Sequence, residues 1–407
     1  GGASTVDMLN VTDATTVAGI GSSQNITFSN INDLPTVKLA NNSAGNVTFG
    51  NLAGDVTGTA DSQTLELVST TNGTVTIASV ETLDVSNSGT STITTLTTTA
   101  AKTLNLTGSG DLTLTNIDDA VETIDGSAYT GKVLWGGIGS NDMTITGGTG
   151  ADTFDFTGGN PTSSDVVDGG DGTDTLRVDV TLTSSTAVSK VTNVENIHLI
   201  YTADATDASI DATLFDGIEV QVADTSATDN DGTVVTITNA KSTQAVKLDN
   251  SSTAGENDGL DGLSLTLTQG VGVGTSTDIF NLTMENERVT TLTSAGYETV
   301  NISSNVGANI IDSFVATSAQ NIVIDGAKNL TLTAVDMEEQ SSTKVSKVDA
   351  SALSGKLVMT MSNNENDQTI LGGSNDDSIT MAFSALDSDD TITGNDGTDT
   401  LTLTDFT

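Results

Sequence analysis

The chain has 407 residues, 12 basic and 54 acidic, for a formal charge of −42, with 41 glycines, 2 prolines, no cysteine and 3% aromatic residues. Acidity on this scale excludes nucleic acid and anionic membranes as partners, since both are bound through a basic face. With 16% charged against 35% hydrophobic residues it is not a disordered polyelectrolyte, and without cysteine it is not a disulfide-stapled secreted scaffold.

Three classes remain: a cation-binding protein, a protein kept soluble at high salt, and a surface exposed to divalent ions. No apolar run approaches the roughly 18 residues of a membrane span, and no signal peptide is visible. The opening Gly1-Gly2 reads as a fragment or a processed product.

In chain order the predicted elements are short strands. ITFSNINDLPTVKLANN from Ile26, TLELV from Thr64, VETLDV from Val80, TLNL from Thr103 and DLTLTNI from Asp111 alternate apolar and polar positions. That is the period of a half-buried strand, and Gly, Asn and Asp between them read as turns. DDAVETIDG from Asp118 and SSTAVSKVTNV from Ser184 read as short helices. His198, the one histidine, reads as an ordinary strand residue.

The chain then repeats itself. The Ile26 stretch aligns without gaps on VTITNAKSTQAVKLDNS from Val235; VETLDV answers YETVNI from Tyr297, AKTLNLT from Ala101 answers AKNLTLT from Ala327, and DGSAYTGKV from Asp125 answers DASALSGKL from Asp349. Two units of about 200 residues are predicted, 1–200 and 201–407, with a boundary in residues 193–206.

Residues 136–178 and 361–403 carry the densest signal. Each divides into four lengths of eleven, a Gly/Asn/Asp turn followed by a short apolar strand, at a constant offset of 225 residues. Carboxylates survive the comparison: Asp142 with Asp367, Asp152 with Asp377, Asp165 with Asp390, Asp171 with Asp396 and Asp174 with Asp399. Their core neighbours survive too, as in Ile145 with Ile370 and Leu176 with Leu401, whereas Gly170 becomes Asn395, which marks the second glycine as dispensable.

Turn formation alone accepts Asn, Ser or Gly, so retained aspartate points to a further demand. Two carboxylates ~5 Å apart repel by roughly 3 kcal/mol at an effective dielectric of ~20, and a hard cation between them reverses that sign. Calcium takes six to eight oxygens from carboxylates and carbonyls. Gly147, Gly150, Gly169, Gly172 and Gly397 permit the positive φ that turns carbonyls inward. The bland alternative is a set of solvated aspartate turns. DNDG at 229–232 and ENDGLDG at 256–262 are weaker candidate calcium loops, lacking complete EF-hand spacing.

GGTGADTFD and GGDGTDTLR match the nonapeptide G-G-x-G-x-D-x-U-x at every fixed position, and GNDGTDTLT matches all but one. These segments resemble the repeats of RTX proteins. The resemblance implies a parallel β-roll in which turn carbonyls and the sixth-position aspartates, here Asp152, Asp174, Asp377 and Asp399, hold calcium between stacked turns. The spacing of eleven rather than nine departs from the family. Turns 147 and 169 are expected on one side and turns 136 and 158 on the other. Thr-rich strands, the N-V-E-N-I and V-E-T-L-D phrases, few repeats and low pI resemble bacterial surface-layer proteins of the RTX type. That implies type I secretion and a two-dimensional lattice on the outer membrane, although no C-terminal secretion signal is evident.

The predicted fold is all-β, with parallel β-solenoid or β-roll units in tandem. The alternative is immunoglobulin-like sandwiches over 1–120 and 205–345, flanking short rolls. An enzyme is not expected: Trp135 and Arg177 align with Thr360 and Thr402, no nucleophile elbow is present, and basic groups are scarce. A polysaccharide-acting β-helix enzyme would need a groove of Lys, Arg, His or Tyr beside carboxylates. The expected function is a calcium-dependent, extracellular surface-layer subunit, with an RTX adhesin segment as the alternative. Its partners would be copies of itself, with outer-membrane polysaccharide or another surface-layer domain for attachment.

Overall fold

The structure is a computed structural model whose described residues are 2–43, 45–138, 141–159, 161–179, 185–201, 207–222, 234–249, 263–270, 277–337, 346–361 and 367–405. Strand makes up 58% of the described residues, in about 15 coils, and those residues contain no α-helix. The fold is a parallel β-solenoid. The chain divides into two compact units, Gly1–Asp179 with Thr186–Ile197, and Val180–Ser185 with His198–Thr407.

In the first unit the chain alternates between two sheets, laying one strand in each per coil. One sheet stacks Ser62–Val68, Thr82–Ser88, Thr103–Gly108, Thr123–Tyr129, Thr144–Thr146 and Val166–Asp168 in parallel. The other stacks Thr71–Ile77, Ser91–Thr97, Leu112–Ile117, Val133–Trp135, Thr153–Asp155 and Thr175–Asp179. The second unit repeats the plan. Ile279–Glu285, Thr299–Val306, Asn321–Gly326, Ser346–Leu353, Gln368–Leu371 and Thr391–Thr393 form one of its sheets. Arg288–Thr293, Asn309–Val315, Leu330–Asp336, Leu357–Met361, Ser378–Ala382 and Thr400–Thr404 face them.

Period-two patterning builds the core. Ile93, Leu114, Trp135, Phe154 and Leu176 lie in register on successive strands of one sheet, and Leu83, Leu104, Ile124, Ile145 and Val167 on the other. All ten are fully or almost fully buried. Each contributes on the order of 1.5–3 kcal/mol by leaving water. No described helix is long and apolar enough to cross a membrane.

The sandwich alternative for 1–120 and 205–345 is overturned. Sandwiches pair antiparallel strands, whereas every strand pairing described in those stretches is parallel, from Ser4–Asp7 on Ile26–Ile31 to Asn309–Val315 on Leu330–Asp336. The two helix expectations also fail. In DDAVETIDG, Glu122 and Thr123 donate their amides to the Lys102 carbonyl one coil back, at 3.0 Å each, and the strand Thr123–Tyr129 follows. Ladder bonds to the preceding coil outweigh local propensity here. In SSTAVSKVTNV the described residues form a four-residue 3-10 turn, Ser185–Val188, and the short strand Val191–Thr192.

The repeated DGSAYTGKV and DASALSGKL phrases have a backbone explanation. Asp125 Oδ1 accepts from the amide and hydroxyl of Ser127, and Asp349 Oδ1 does the same from Ser351. Each Asp-x-Ser turn sits at a register shift of its strand, a β-bulge retained in both units.

One edge of the first unit demands glycine for space. A Cβ on Gly110 would lie 1.9 Å from the Gly89 carbonyl oxygen, one on Gly131 2.3 Å from that of Gly110, and one on Gly150 2.1 Å from that of Gly131. The backbones of successive turns are thus too close for any side chain. Gly131→Ala should destabilise the chain by about 1–3 kcal/mol through overpacking. Gly54→Ala, with nothing within 4 Å of the added carbon, should be near neutral. Urea unfolding of both variants measures the contrast, and equal stabilities would refute the close-stacking account.

Candidate metal centre

Stacked registers fix where the glycine-rich turns fall. Ile145 pairs with Val167 and Phe154 with Leu176 in the first unit, and Ile370 with Ile392 and Ile379 with Leu401 in the second. Two eleven-residue lengths therefore make one coil of 22. Turns Gly147–Asp152 and Gly169–Asp174 lie above one another on one edge, and the turns ending in Asp142 and Asp165 lie on the other.

On the first edge the sixth-position aspartates form a ladder. Asp152 Oδ1 accepts from the Val133 amide of the preceding coil at 2.8 Å, and its Oδ2 accepts from Gly148 in its own turn at 2.9 Å. The Asp152 amide in turn donates to Asp174 Oδ1 at 2.7 Å, and the Asp174 amide to Glu195 at 2.8 Å. The second unit repeats the arrangement. Asp377 accepts from Leu357 at 2.8 Å and from Gly373 at 2.6 Å, and its own amide donates to Asp399 at 2.9 Å.

The opposite edges use the same device. Asp165 accepts from Met143 and Thr162, and Asp390 from Gln368 and Asp387, all at 2.7 Å. Each aspartate satisfies the amide at a strand entry one coil back, which the parallel ladder leaves open at the turn.

Burial separates the candidates. Asp152, Asp165, Asp174 and Asp377 are buried, Asp390 is half-buried, and Asp142, Asp171, Asp367, Asp396 and Asp399 are exposed. Asp174 is fully buried, yet its Oδ2 has no hydrogen-bond partner. Burial pushes its carboxyl up to about 7, and the neighbouring charges of Asp152, Glu195 and Asp168 act in the same direction. Burial also raises Asp152. An orphaned carboxylate oxygen among three other acidic groups suits either a proton or a hard cation, which calcium supplies.

The glycines play two different parts. Gly170, Gly172 and Gly397 have φ of 88°, 134° and 125°. Gly147, Gly150 and Gly169 are absent from the positive-φ set and are needed instead for close approach: a Cβ on Gly147 would meet the Gly169 carbonyl at 2.1 Å and one on Gly169 the Asn193 carbonyl at 1.8 Å. Asn395, aligned with Gly170, has φ 67°. The second glycine is thus not dispensable in conformation; asparagine keeps its left-handed backbone.

Two features escaped the motif. Glu195, Glu81 and Glu298, the glutamates of N-V-E-N-I, V-E-T-L-D and Y-E-T-V-N, cap the amides of Asp174, Asp61 and Asp278 at 2.8, 2.9 and 3.0 Å. Those phrases are the aspartate cap written with a longer side chain. In addition, Asp367 gathers with Asp387 and Asp389, their oxygens within 4.8 Å of one another on the exposed surface. Thr162 and Ser164 stand at the equivalent places in the first unit, which therefore lacks this trio. DNDG at 229–232 and ENDGLDG at 256–262 both lie outside the described residues.

Fold and edge together define the class: a parallel β-solenoid with a carboxylate ladder at its coil edges. No protein-family model matches the chain, and no curated protein matches it in sequence.

The raised Asp174 carboxyl gives a signed pH dependence. Its folded value of about 7 exceeds the unfolded value of about 4, so the folded chain holds the extra proton between them and stability falls as pH rises through that window. Asp174→Asn cannot titrate. In chelator, the stability of the native chain relative to this variant should therefore be greater at pH 5 than at pH 7.5. Urea midpoints at the two pH values test this, and a constant difference would refute it.

Proposed function

We propose that this protein is a structural, calcium-dependent subunit of a bacterial surface layer, self-assembling outside the cell into a two-dimensional lattice. The observation that carries the reading is the kind of group used at the coil edges. Capping a strand-entry amide does not require charge: Asn309 caps Glu287 at 2.7 Å and Ser91 caps Thr70 at 3.3 Å. At the RTX-like turns both units nevertheless use aspartate, buried at Asp152, Asp174 and Asp377 in a chain of net charge −42. A buried charge beyond the needs of hydrogen bonding is stable when a counter-ion shares the site.

In this reading Asp152, Asp174, Asp377 and Asp399, with turn carbonyls around Gly147, Gly150, Gly169, Gly172 and Gly397, hold calcium on one edge. Asp142, Asp165, Asp367 and Asp390 serve the other edge, and Asp171 and Asp396 lie in the turns. Bound calcium supplies positive charge and six to eight coordination positions for oxygen. Extracellular modules bind it at about 10⁻⁴ to 10⁻³ M, so the chain would complete its order after export, by the type I route the repeats suggest. The partner is a second copy of the chain, with cell-surface polysaccharide or another surface-layer domain for attachment. No catalytic role is assigned.

Trp135 is the one tryptophan and lies fully buried in register with Phe154, directly beneath the aspartate turns. Its fluorescence should shift to the blue on calcium titration, with a midpoint between about 10⁻⁴ and 10⁻³ M. Electron microscopy of the loaded protein should show ordered sheets. An emission spectrum and urea stability identical in calcium and in chelator would sink the calcium reading. Soluble loaded monomers that bind a glycan would favour an adhesin segment.

A further inference from the structure

Among the described residues of the first unit, the buried polar groups change character along the chain. Up to Thr98 they are amides and hydroxyls only, Asn72, Asn87 and Ser91 among them; from Asp152 onward they are all carboxylates, namely Asp152, Asp155, Asp165 and Asp174. The neutral groups satisfy one another across coils. Asn72 accepts from the Thr70 hydroxyl at 2.9 Å and donates to the Gly45 carbonyl at 3.1 Å, and Asn87 donates to the Tyr129 hydroxyl at 2.7 Å. Atoms left unpaired there, such as Asn87 Oδ1 and Thr98 Oγ1, carry no formal charge. Among the carboxylates, Asp155 is balanced by Arg177 at 2.5 Å, whereas Asp174 retains an unpaired oxygen.

The cost of burial differs accordingly. An unpaired neutral group is far less costly than an uncompensated buried charge. In a solenoid each coil contacts only its neighbours, so one end can stay ordered while the other frays.

We infer that the cation requirement of the first unit is confined to its last coils. The coils up to Trp135 form a cation-independent seed, and the strands Thr144–Thr146, Thr153–Asp155 and Val166–Asp168 order onto it only when the Asp152–Asp174 edge is neutralised. This rests on the calcium reading above and adds the position of the gate. It gives the chain a built direction of locking, from seed toward the aspartate turns.

Amide hydrogen exchange of the full chain, in millimolar calcium and in chelator, tests the inference. Amides of Thr82–Ser88, Thr103–Gly108 and Leu112–Ile117 should exchange at the same rate, within about threefold, in both conditions. Those of Thr144–Thr146, Thr153–Asp155 and Val166–Asp168 should exchange at least about tenfold faster in chelator. Acceleration across both groups would overturn the seed while leaving calcium dependence standing. Equal slow exchange everywhere would overturn the calcium reading and the seed with it. Asp174→Asn supplies the uncharged cap used earlier in the chain, and the calcium effect at Val166–Asp168 should fall below about threefold. A persisting tenfold effect would overturn the placing of the gate at Asp174.

Discussion

The structure depends on one recurring bond. A parallel coil that turns from one sheet to the other leaves the amide at the next strand entry without a ladder partner, and a side chain from the following coil accepts from it. Glu81, Ser91, Asp152, Asp174, Asn309 and Asp377 all do so, at 2.7 to 3.3 Å. The cap ties each coil to its neighbour at the point where turn geometry would otherwise let the register slip. The apolar columns behind it are held in line as a result.

Once the cap is recognised, the choice of capping group becomes the electrostatic variable of the molecule. Asparagine and serine give a neutral edge; aspartate gives the same bond plus a charge, and stacking repeats that charge every coil. Toward the end of the first unit the charges are buried and adjacent, so one carboxylate is pushed toward neutrality. Elsewhere lysine supplies compensation. Lys247 bridges Glu219, Asp249 and Glu285 at 3.0 to 3.1 Å, and Lys347 pairs with Asp349 at 2.8 Å, holding that carboxyl at about 2. Among the described residues no lysine or arginine pairs with Asp152, Asp174 or Asp377.

Much of this was legible in the sequence. Alternation in TLELV, TLNL and DLTLTNI identified strands, and the eleven-residue register placed the Gly147 and Gly169 turns on one edge. The helix readings failed because DDAVETIDG was judged by local propensity, while its amides are claimed by Lys102 one coil back. The sandwich alternative failed for a related reason: period two specifies a strand but not the direction of its partner. Glu195, Glu81 and Glu298 went unassigned because their phrases lack the glycines that mark the RTX-like turns.

The sequence by itself determined the coil length, the inward column of apolar residues and the set of aspartates retained across the duplication. These follow from spacing, which is a one-dimensional property. Only the tertiary structure decided what each aspartate touches: that Asp152 answers Val133, that Asp174 answers Asp152 and keeps one oxygen unpaired, and that Asp367 meets Asp387 and Asp389. It also decided that Gly147 and Gly169 are required for space rather than for φ. Those facts depend on which backbone lies one coil away, about 20 residues along the chain, and the 4.7–4.9 Å separation of stacked strands sets them.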